Sequence, residues 1–125
     1  MVIRESAEMY LETILVLSEK GTVRSIDIAN EMGFSRPTVS VSVHNLDKEG
    51  YIKIKDDGSI ILEEKGRQIA EKIYERHKVL TYVFEKIGVE PEIASSDACK
   101  VEHAISSQTF ECIKKAIEKY ENQNK

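Results

Sequence analysis

The chain has 125 residues and a net charge of −4, with 22 Asp and Glu against 18 Lys and Arg. This length suffices for one ordinary domain or for two small domains that share a core. The acidic balance argues against indiscriminate binding to nucleic acid, although a local patch on an acidic protein can still bind DNA. No stretch approaches the roughly 20 apolar residues that span a bilayer, and no export signal opens the chain. We therefore expect a cytoplasmic protein whose two cysteines, Cys99 and Cys112, are reduced thiols.

A helical apolar pattern over residues 6–19 predicts the first helix, with Ser6 as its N-cap. Met9 and Glu12 lie near the beginning of this helix, and they share one side because they are about one turn apart. A methionine at such a position commonly fills irregular space in a core. The residues alone therefore leave open whether Met9 packs or binds.

Two short helices in quick succession are predicted between residues 23 and 48. Ser25 can cap the first, which stops at Gly33, and Ser35 can cap the second. The second helix would bury a seam and expose the opposite face, which is the pattern of a helix-turn-helix with its recognition helix at residues 36–48. The predicted seam consists of Val39, Val43 and Leu46, and the candidate DNA-contacting residues are Ser35, Arg36, Pro37, Thr38, Ser40, Val41, His44 and Lys48. An ordinary helical hairpin would share this pattern.

A β-hairpin is predicted directly after these helices, from strands at residues 51–55 and 60–62 that flank an Asp-Gly turn. A helix-turn-helix followed at once by a hairpin is typical of a winged helix. Lys53 on the first strand can reach a DNA phosphate, whereas Asp56 and Asp57 at the tip would oppose a close approach. His44 is alternatively a solvated polar residue on the outer face.

Potential metal ligands stand out in the second half of the chain. A long helix over residues 64–87 carries His77, residues 89–93 are expected to form a connector, and Ser95 or Ser96 is expected to cap the next helix. On that helix a thiol, a carboxylate and an imidazole at positions i, i+3 and i+4 share one face, a set that suits a divalent first-row transition metal. These residues are Cys99, Glu102 and His103. The alternatives are a half-buried helix turn for this trio and a surface histidine for His77.

The last helix is expected to begin at Ser106 or Ser107 and to run to about Tyr120. Its apolar stripe is too large for a terminal helix to leave in water, so it predicts a core or a dimer interface. The stripe consists of Phe110, Ile113, Ala116, Ile117 and Tyr120. We expect Cys112, at its border, to be buried.

Four motifs in order carry a resemblance that covers residues 4 to about 120. They are Glu-Met-Tyr-Leu at 8–11, Ser-x-Pro-Thr-Val-Ser at 35–40, Arg-His at 76–77 and Asp-Ala-Cys-x-x-Glu-His at 97–103. This order resembles the diphtheria toxin repressor family of metal-dependent (iron or manganese) transcription regulators, in its two-domain form. The resemblance implies a mostly α fold: a winged helix-turn-helix DNA-binding domain at 1–65, whose hairpin wing has two strands, and an all-α metal-binding and dimerisation domain at 66–125.

The resemblance also implies the metal ligands. Met9, Cys99, Glu102 and His103 match the primary site of iron-type members, while His77 matches a histidine of a second site, for which Glu12 is a further candidate. Thr81 and Ser95 stand where the family has a second-site glutamate and histidine. Manganese-type members have carboxylates at the positions of Met9 and Cys99, so the soft sulfur pair favours Fe2+, with Mn2+ as the alternative. Co2+, Ni2+ or Zn2+ are expected as substitutes in vitro.

The implied function is an Fe2+-activated repressor of metal-uptake genes that binds a palindromic operator as a homodimer. In this hypothesis the metal links the first helix, through Met9, to Cys99, Glu102 and His103. By resemblance, base or phosphate contacts fall at Ser35, Pro37, Thr38 and Ser40, and Val41 replaces a base-contacting glutamine of iron-type members. The protein is expected not to be an enzyme and to have no membrane or small-molecule partner.

Four other functions remain open on the sequence. One is a manganese-responsive regulator of the same fold. The second is a winged-helix regulator that senses oxidation at Cys99. The third is a small metalloenzyme that uses Cys99, Glu102 and His103. The fourth is a protein-interaction module without DNA affinity. Metal-dependent binding to DNA separates the metal-activated regulator from the last three.

Overall fold

Six helices and one two-stranded antiparallel sheet make up the regular structure in a computed structural model that describes residues 5–124. The elements are α1 (Glu5–Ser18), α2 (Ser25–Met32), α3 (Arg36–Lys48), β1 (Ile52–Ile54), β2 (Ile60–Leu62), α4 (Glu64–Lys86), α5 (Pro91–Val101) and α6 (Ser107–Gln123). The chain divides into an N-terminal unit, residues 1–72, and a C-terminal unit, residues 73–125. The outer ends of the predicted domains 1–65 and 66–125, and the first residue of the resemblance, lie outside the described residues.

The fold class is confirmed: among the described residues, a winged helix-turn-helix makes up the first half of a mostly helical chain, and the regular structure of the second half is helical. No helix among residues 5–124 is both long and apolar enough to cross a membrane.

Helix α1 supplies much of the core of the N-terminal unit. Tyr10, Leu11, Ile14 and Leu15 are buried on one side of it, as the apolar period predicts. The predicted N-cap is wrong, because α1 already includes Glu5 and Ser6 lies inside it. Met9 is 37% exposed, so it does not fill the core.

Helices α2 and α3 form the predicted helix-turn-helix. Arg24, and not Ser25, is the N-cap of α2; its backbone N–H donates to the Asp27 carboxylate at 2.9 Å, so the helix is closed by an acid in its first turn. Gly33 ends α2 with φ of 71°, a left-handed conformation that glycine adopts without strain. The cap of α3 is as predicted, since Ser35 Oγ accepts a hydrogen bond from the Thr38 N–H at 3.3 Å.

The buried seam of α3 is confirmed, because Val39, Val43 and Leu46 are all buried. This seam fixes which side of α3 faces the core. The opposite side is therefore left in solvent.

The hairpin follows as predicted, with Lys53 paired opposite Ile61. Its turn is closed by Asp57, whose carboxylate accepts hydrogen bonds from the Ser59 hydroxyl at 2.6 Å and from the Ser59 N–H at 2.9 Å. These bonds favour the charged form and lower the pKa of Asp57 below its ordinary value. Arg24 Nη1 donates to the Asp57 carbonyl at 2.9 Å, which ties the turn to the start of α2.

Helix α5 differs from the prediction at both ends. It begins at Pro91 after an N-cap at Glu90, so the expected connector at 89–93 and the caps at Ser95 or Ser96 are wrong. Proline suits the first helical turn because the missing N–H has no partner there. The helix ends at Val101, with Glu102 as its C-cap, so Cys99, Glu102 and His103 do not share one continuous helix face.

Helix α6 begins where expected and runs slightly further, to Gln123. Its N-cap Ser106 accepts a hydrogen bond from the Thr109 N–H at 3.1 Å. Phe110 is buried, but Cys112 is exposed, so the expectation for Cys112 is wrong. Two residues of helix are about 200° of rotation, which turns Cys112 away from the face that carries Phe110.

Candidate metal centre and nucleic-acid interface

Three side chains of the C-terminal unit bring nitrogen, sulfur and oxygen atoms together. His77 comes from the middle of α4, Cys99 from α5 and Glu102 from its C-cap. The Nδ1 atom of His77 lies 3.0 Å from Oε2 of Glu102 and 3.7 Å from the Cys99 sulfur. The three potential ligand atoms all lie within 4.8 Å of one another. We call His77, Cys99 and Glu102 the ligand cluster.

The second oxygen of Glu102 faces another imidazole. Nε2 of His103 lies 3.4 Å from Oε1 of Glu102. The side chains of Glu102 and His103 are only 1% and 2% exposed, whereas that of His77 is 20% exposed. A buried carboxylate is costly unless polar groups compensate it. The His77 imidazole lies within hydrogen-bond distance of Oε2, and the His103 imidazole adds a longer polar contact at Oε1.

The ligand cluster fits a divalent first-row transition metal. Bonds from such a metal to nitrogen, oxygen and sulfur are about 2.0–2.3 Å long, which separates neighbouring ligand atoms by about 3–4 Å. The distances of 3.0 Å and 3.7 Å around His77 match this spacing. Cys99 is exposed while Glu102 is fully buried, so the cluster reaches from the surface into the interior. Ca2+ and Mg2+, which prefer oxygen ligands only, fit this set poorly.

Ser95, which the resemblance places at a second-site histidine position of the family, is a neighbour of the cluster. Its Oγ lies 3.4 Å from Nε2 of His77, on the ring edge opposite the one near Glu102. Ser95 and Cys99 are one helical turn apart on α5, so both face His77. The four-residue spacing between Ser95 and Cys99 is the sequence signal that places both on one face of α5.

The residues predicted to contact DNA lie on the exposed side of α3 and on β1. Ser35, Arg36, Pro37, Thr38, Val41, His44, Lys48 and Lys53 are exposed, and Ser40 is half-buried. Nδ1 of His44 lies 2.7 Å from the Ser40 carbonyl oxygen. Because a carbonyl oxygen only accepts, this contact favours the tautomer with its proton on Nδ1, in which Nε2 is the acceptor. Contact of these residues with DNA stays a prediction.

Two family models together match nearly the whole chain. Residues 3–60 match the N-terminal DNA binding domain of the iron dependent repressor, and residues 63–124 match its metal binding and dimerisation domain. The chain belongs to the diphtheria toxin repressor family of metal-dependent transcription regulators.

Individual members of this family are similar over most of the chain. The transcriptional regulator MntR of Escherichia coli is 31% identical over 118 residues, which cover 94% of this chain and 76% of the relative. The HTH-type transcriptional regulator MntR of Listeria monocytogenes is 34% identical over 118 residues, covering 94% and 83%. The solved structure of the manganese regulator SloR has a TM-score of 0.78 at 25% identity. It aligns with 94% of this chain, and the chain spans only 55% of its length.

The structure distributes the predicted ligands of this family member differently from the expected grouping. It places His77 with Cys99 and Glu102, whereas the resemblance assigns His77 to a separate second site. Met9 and Glu12 lie on α1 in the N-terminal unit, Met9 exposed and Glu12 half-buried. Metal binding by any of these residues stays a prediction.

Proposed function

We propose that this protein is a transcriptional repressor that a divalent metal activates, with Mn2+ as the first candidate. The ligand cluster carries the proposal: an imidazole, a thiol and a buried carboxylate converge in the half of the chain that matches a metal binding and dimerisation domain. The other half matches a DNA binding domain. A metalloenzyme built on Cys99, Glu102 and His103 has no comparable support.

Two observations bear on the identity of the metal. The relatives in Escherichia coli and Listeria monocytogenes have the name MntR, and SloR is described as a manganese regulator, which supports Mn2+. The Cys99 sulfur in the cluster supports Fe2+ as the second candidate, because a thiolate suits softer metals better than Mn2+. The Irving–Williams order places both metals at the weak end, so metal availability in the cell contributes to the choice.

The bound cation supplies positive charge and holds its ligands in one arrangement. His77 would bind through Nδ1, Glu102 through Oε2 and Cys99 through its sulfur after loss of the thiol proton. All three must be deprotonated to bind, so metal affinity is expected to fall as the pH falls. Met9, Glu12 and His103 remain candidate ligands on the strength of the family resemblance.

The exposed side of α3 is the proposed DNA-reading surface. Hydroxyl groups of Ser35, Thr38 and Ser40 at the start of the helix can bond phosphates or base edges, and small side chains allow a close approach in the major groove. Lys48 and Lys53 add positive charge for phosphates. Residues 1–62 contain more acidic than basic residues, ten against seven, so bulk attraction alone does not explain binding. Affinity must come from geometry, from two copies acting together and from the charge of the metal.

An apolar groove supports dimerisation. It lies in the C-terminal unit between the end of α4 and the middle of α6, with a volume of about 290 Å³. Its lining is Tyr82, Val83, Lys86, Ile87, Ile113, Ala116, Ile117 and Tyr120. We propose that a second copy covers it, since residues 63–124 match a domain described as a dimerisation domain. A two-fold dimer places two copies of α3 on half-sites of a palindromic operator.

Metal and operator then stabilise the same state of the dimer. Each must tighten the binding of the other by the same factor, because binding free energies are linked. Couplings of this kind typically change an affinity by about 5–150-fold. An iron- or manganese-replete cell would repress the regulated genes, which we propose to be metal-uptake genes.

Operator binding under anaerobic conditions tests this function. Duplexes are first selected from a random pool with the wild-type protein and Mn2+ or Fe2+. Binding is then measured with and without each metal in the wild type, Cys99→Ala and His77→Ala, and in Cys112→Ala as the matched control. Metal should tighten binding by the wild type and by Cys112→Ala, and much less by the two cluster variants. Equal metal dependence in all four proteins would contradict the proposed centre.

The two candidate metals are separated by one further variant. Cys99→Glu replaces the sulfur ligand by oxygen, which suits Mn2+. If Mn2+ activates the wild type and Cys99→Glu alike, manganese is supported. If the wild type responds to Fe2+ alone and only Cys99→Glu responds to Mn2+, iron is the activating metal.

A further inference from the structure

We propose that Arg76 is a positioning residue for the metal centre, and this inference rests on the metal binding proposed above. Arg76 precedes His77 on α4 and is only 6% exposed. Arginine is seldom buried to this degree unless its guanidinium is well paired. The guanidinium of Arg76 has hydrogen-bond partners in residues 102–107.

The guanidinium group of Arg76 holds the connection between α5 and α6. Nη1 donates to the carbonyl oxygen of Glu102 at 3.1 Å and to that of Ile105 at 2.8 Å. Nη2 lies 3.3 Å from the hydroxyl of Ser107, the first residue of α6. One rigid, planar group therefore bonds to both ends of residues 102–107.

This connection needs an external donor. The last carbonyl groups of a helix have no intrahelical N–H partner, and α5 ends at Val101. The N–H groups of Ala104 and Ile105 both donate back to the Val101 carbonyl, at 2.9 Å and 3.2 Å. Arg76 donates to two carbonyl oxygens beyond Val101, those of Glu102 and Ile105. A lysine cannot reproduce this pattern, because its ammonium group is not a planar fork.

Glu102 is thus held at two points by consecutive residues of α4. His77 approaches its carboxylate at 3.0 Å, and Arg76 bonds its main-chain carbonyl at 3.1 Å. His103 is the next residue, so it belongs to the same backbone segment. The direction in which the Glu102 and His103 side chains leave the chain is therefore set by Arg76.

The guanidinium of Arg76 also contacts an aromatic ring of α6. Its central carbon lies 5.5 Å from the centre of the buried Phe110 ring, within the range of a cation–π contact. Arg76 thereby fixes the start of α6 together with the α5–α6 connection. Groups that orient metal ligands from outside the coordination sphere typically change metal affinity by about 10–100-fold when they are replaced.

Co2+ titration of the full chain, without oxygen and at low temperature, tests this inference. With Cys112 replaced by alanine in every protein, absorption from thiolate-to-Co2+ charge transfer reports coordination by Cys99. Its energy and its intensity per bound ion depend on the ligand set, which a loss of stability alone would not alter. Arg76→Met keeps an unbranched side chain that replaces the apolar stem of arginine, and it removes the guanidinium with its donors. Arg67→Met is the matched control, because Arg67 lies on the same helix with 45% of its side chain exposed and with its guanidinium 3.7 Å from the exposed Glu71 carboxylate.

We expect Co2+ to bind Arg76→Met about 10–100-fold more weakly than the wild type. Arg67→Met should bind like the wild type. Ser107→Ala, which removes a single acceptor of Arg76, should weaken binding by a smaller factor, about 2–10-fold. Circular dichroism of each metal-free variant establishes that it is folded at the titration temperature.

Each remaining outcome overturns a different statement. If folded Arg76→Met binds Co2+ within twofold of the wild type, Arg76 does not position the ligands. If Arg76→Met fails to fold, Ser107→Ala decides, and an unchanged affinity there overturns the inference. If the wild type gives no thiolate charge-transfer band, the proposed metal centre fails and the inference fails with it.

Discussion

Nδ1 of His77 lies 3.0 Å from Oε2 of Glu102, and the other oxygen of that carboxylate lies 3.4 Å from Nε2 of His103. One buried carboxylate thus connects two imidazoles that come from different parts of the C-terminal unit. Since all of these groups are held in a largely desolvated place, a change at Glu102 is transmitted to both rings.

The first prediction follows from this shared carboxylate. Glu102→Gln removes the negative charge but keeps the shape, so we expect metal binding to be lost and the ring resonances of both His77 and His103 to shift in NMR spectra. Glu75→Gln is the control, because Glu75 is an exposed carboxylate 3.4 Å from Lys114. A shift confined to one histidine would show that the carboxylate does not couple the two rings.

The second prediction concerns Ser95. Its hydroxyl lies 3.4 Å from Nε2 of His77, so when metal displaces the Nδ1 proton that faces Glu102, Nε2–H can donate to this hydroxyl and stabilise the metal-binding tautomer. Ser95→Ala should weaken Co2+ binding by about tenfold, the lower end of the range for such partners, because the contact is long. Nitrogen-15 shifts of the His77 ring should show a larger share of the Nδ1–H tautomer.

The neighbouring serine provides the control for Ser95. Ser96 is exposed on α5, so Ser96→Ala should leave both the tautomer and the metal affinity unchanged. Equal behaviour of the two variants would remove Ser95 from the metal centre.

Local signals predicted most of the secondary structure correctly, because their causes are local. The cap at Ser35 and the seam of Val39, Val43 and Leu46 depend only on residues within α3. The predicted start of α5 is wrong because Pro91 was interpreted as part of a connector. A proline also begins helices, and the choice depends on whether the following turn packs, which Ala94 does by being buried.

The chemistry of the candidate site was visible in the sequence, but its grouping was not. Cys99 and Glu102 are close in the chain, so their proximity could be predicted. The approach of His77 to both depends on how α4 packs against α5, and no local pattern encodes this. Arg76 was equally hidden, because its partners lie 26 to 31 residues further along the chain.

The third prediction concerns packing at the start of α4. A methyl group added at Gly66 would overlap the carbonyl oxygen of Tyr51, and it would lie 3.0 Å from the carbonyl carbon and 3.3 Å from Leu11 Cδ2. Backbone atoms cannot move aside as a side chain can. Overpacking of this kind costs about 1–3 kcal/mol, and alanine gains about 1 kcal/mol in helix propensity over glycine. Because the Tyr51 backbone has little room to relax, we expect the cost to exceed the gain, so Gly66→Ala should lower the free energy of unfolding.

Urea denaturation measures this change. Gln68→Ala, on an exposed position of the same helix, should stay within about 0.5 kcal/mol of the wild type. A Gly66→Ala protein more stable than the wild type would contradict this prediction and would mean that the backbone at Tyr51 moves to accommodate the methyl group at little cost.

The fourth prediction concerns acid and the hairpin turn. Hydrogen bonds from the Ser59 hydroxyl and N–H hold the pKa of Asp57 below its ordinary value of 3.8. Because the folded-state pKa is the lower one, the charged form contributes stability above the ordinary value, and that contribution is lost as the pH falls through the lowered value. A carbon-13 titration of the Asp57 carboxyl should have its midpoint below 3.8.

Ser59→Ala tests the cause of this lowered pKa. It removes the hydroxyl donor, the largest contribution, and keeps the backbone donor, so the midpoint should rise toward the ordinary value without reaching it. A midpoint that does not move would assign the lowered pKa to the Ser59 N–H and to the neighbouring charges of Arg24 and Lys55 instead.

The fifth prediction concerns DNA sequence preference. Val41 is 63% exposed on the outer side of α3, where an apolar side chain can contact only a thymine methyl group. Val41→Gln supplies an amide that can bond to both edge atoms of an adenine, and a good pair of this kind changes discrimination by about 1–3 kcal/mol. Selection from random duplexes should therefore return a different base at one position in each half-site.

Two controls accompany this selection. The Co2+ affinity of Val41→Gln should be unchanged, and Glu121→Gln on α6 should select the wild-type operator. The same operator for Val41→Gln and the wild type would show that this side of α3 does not read bases at Val41.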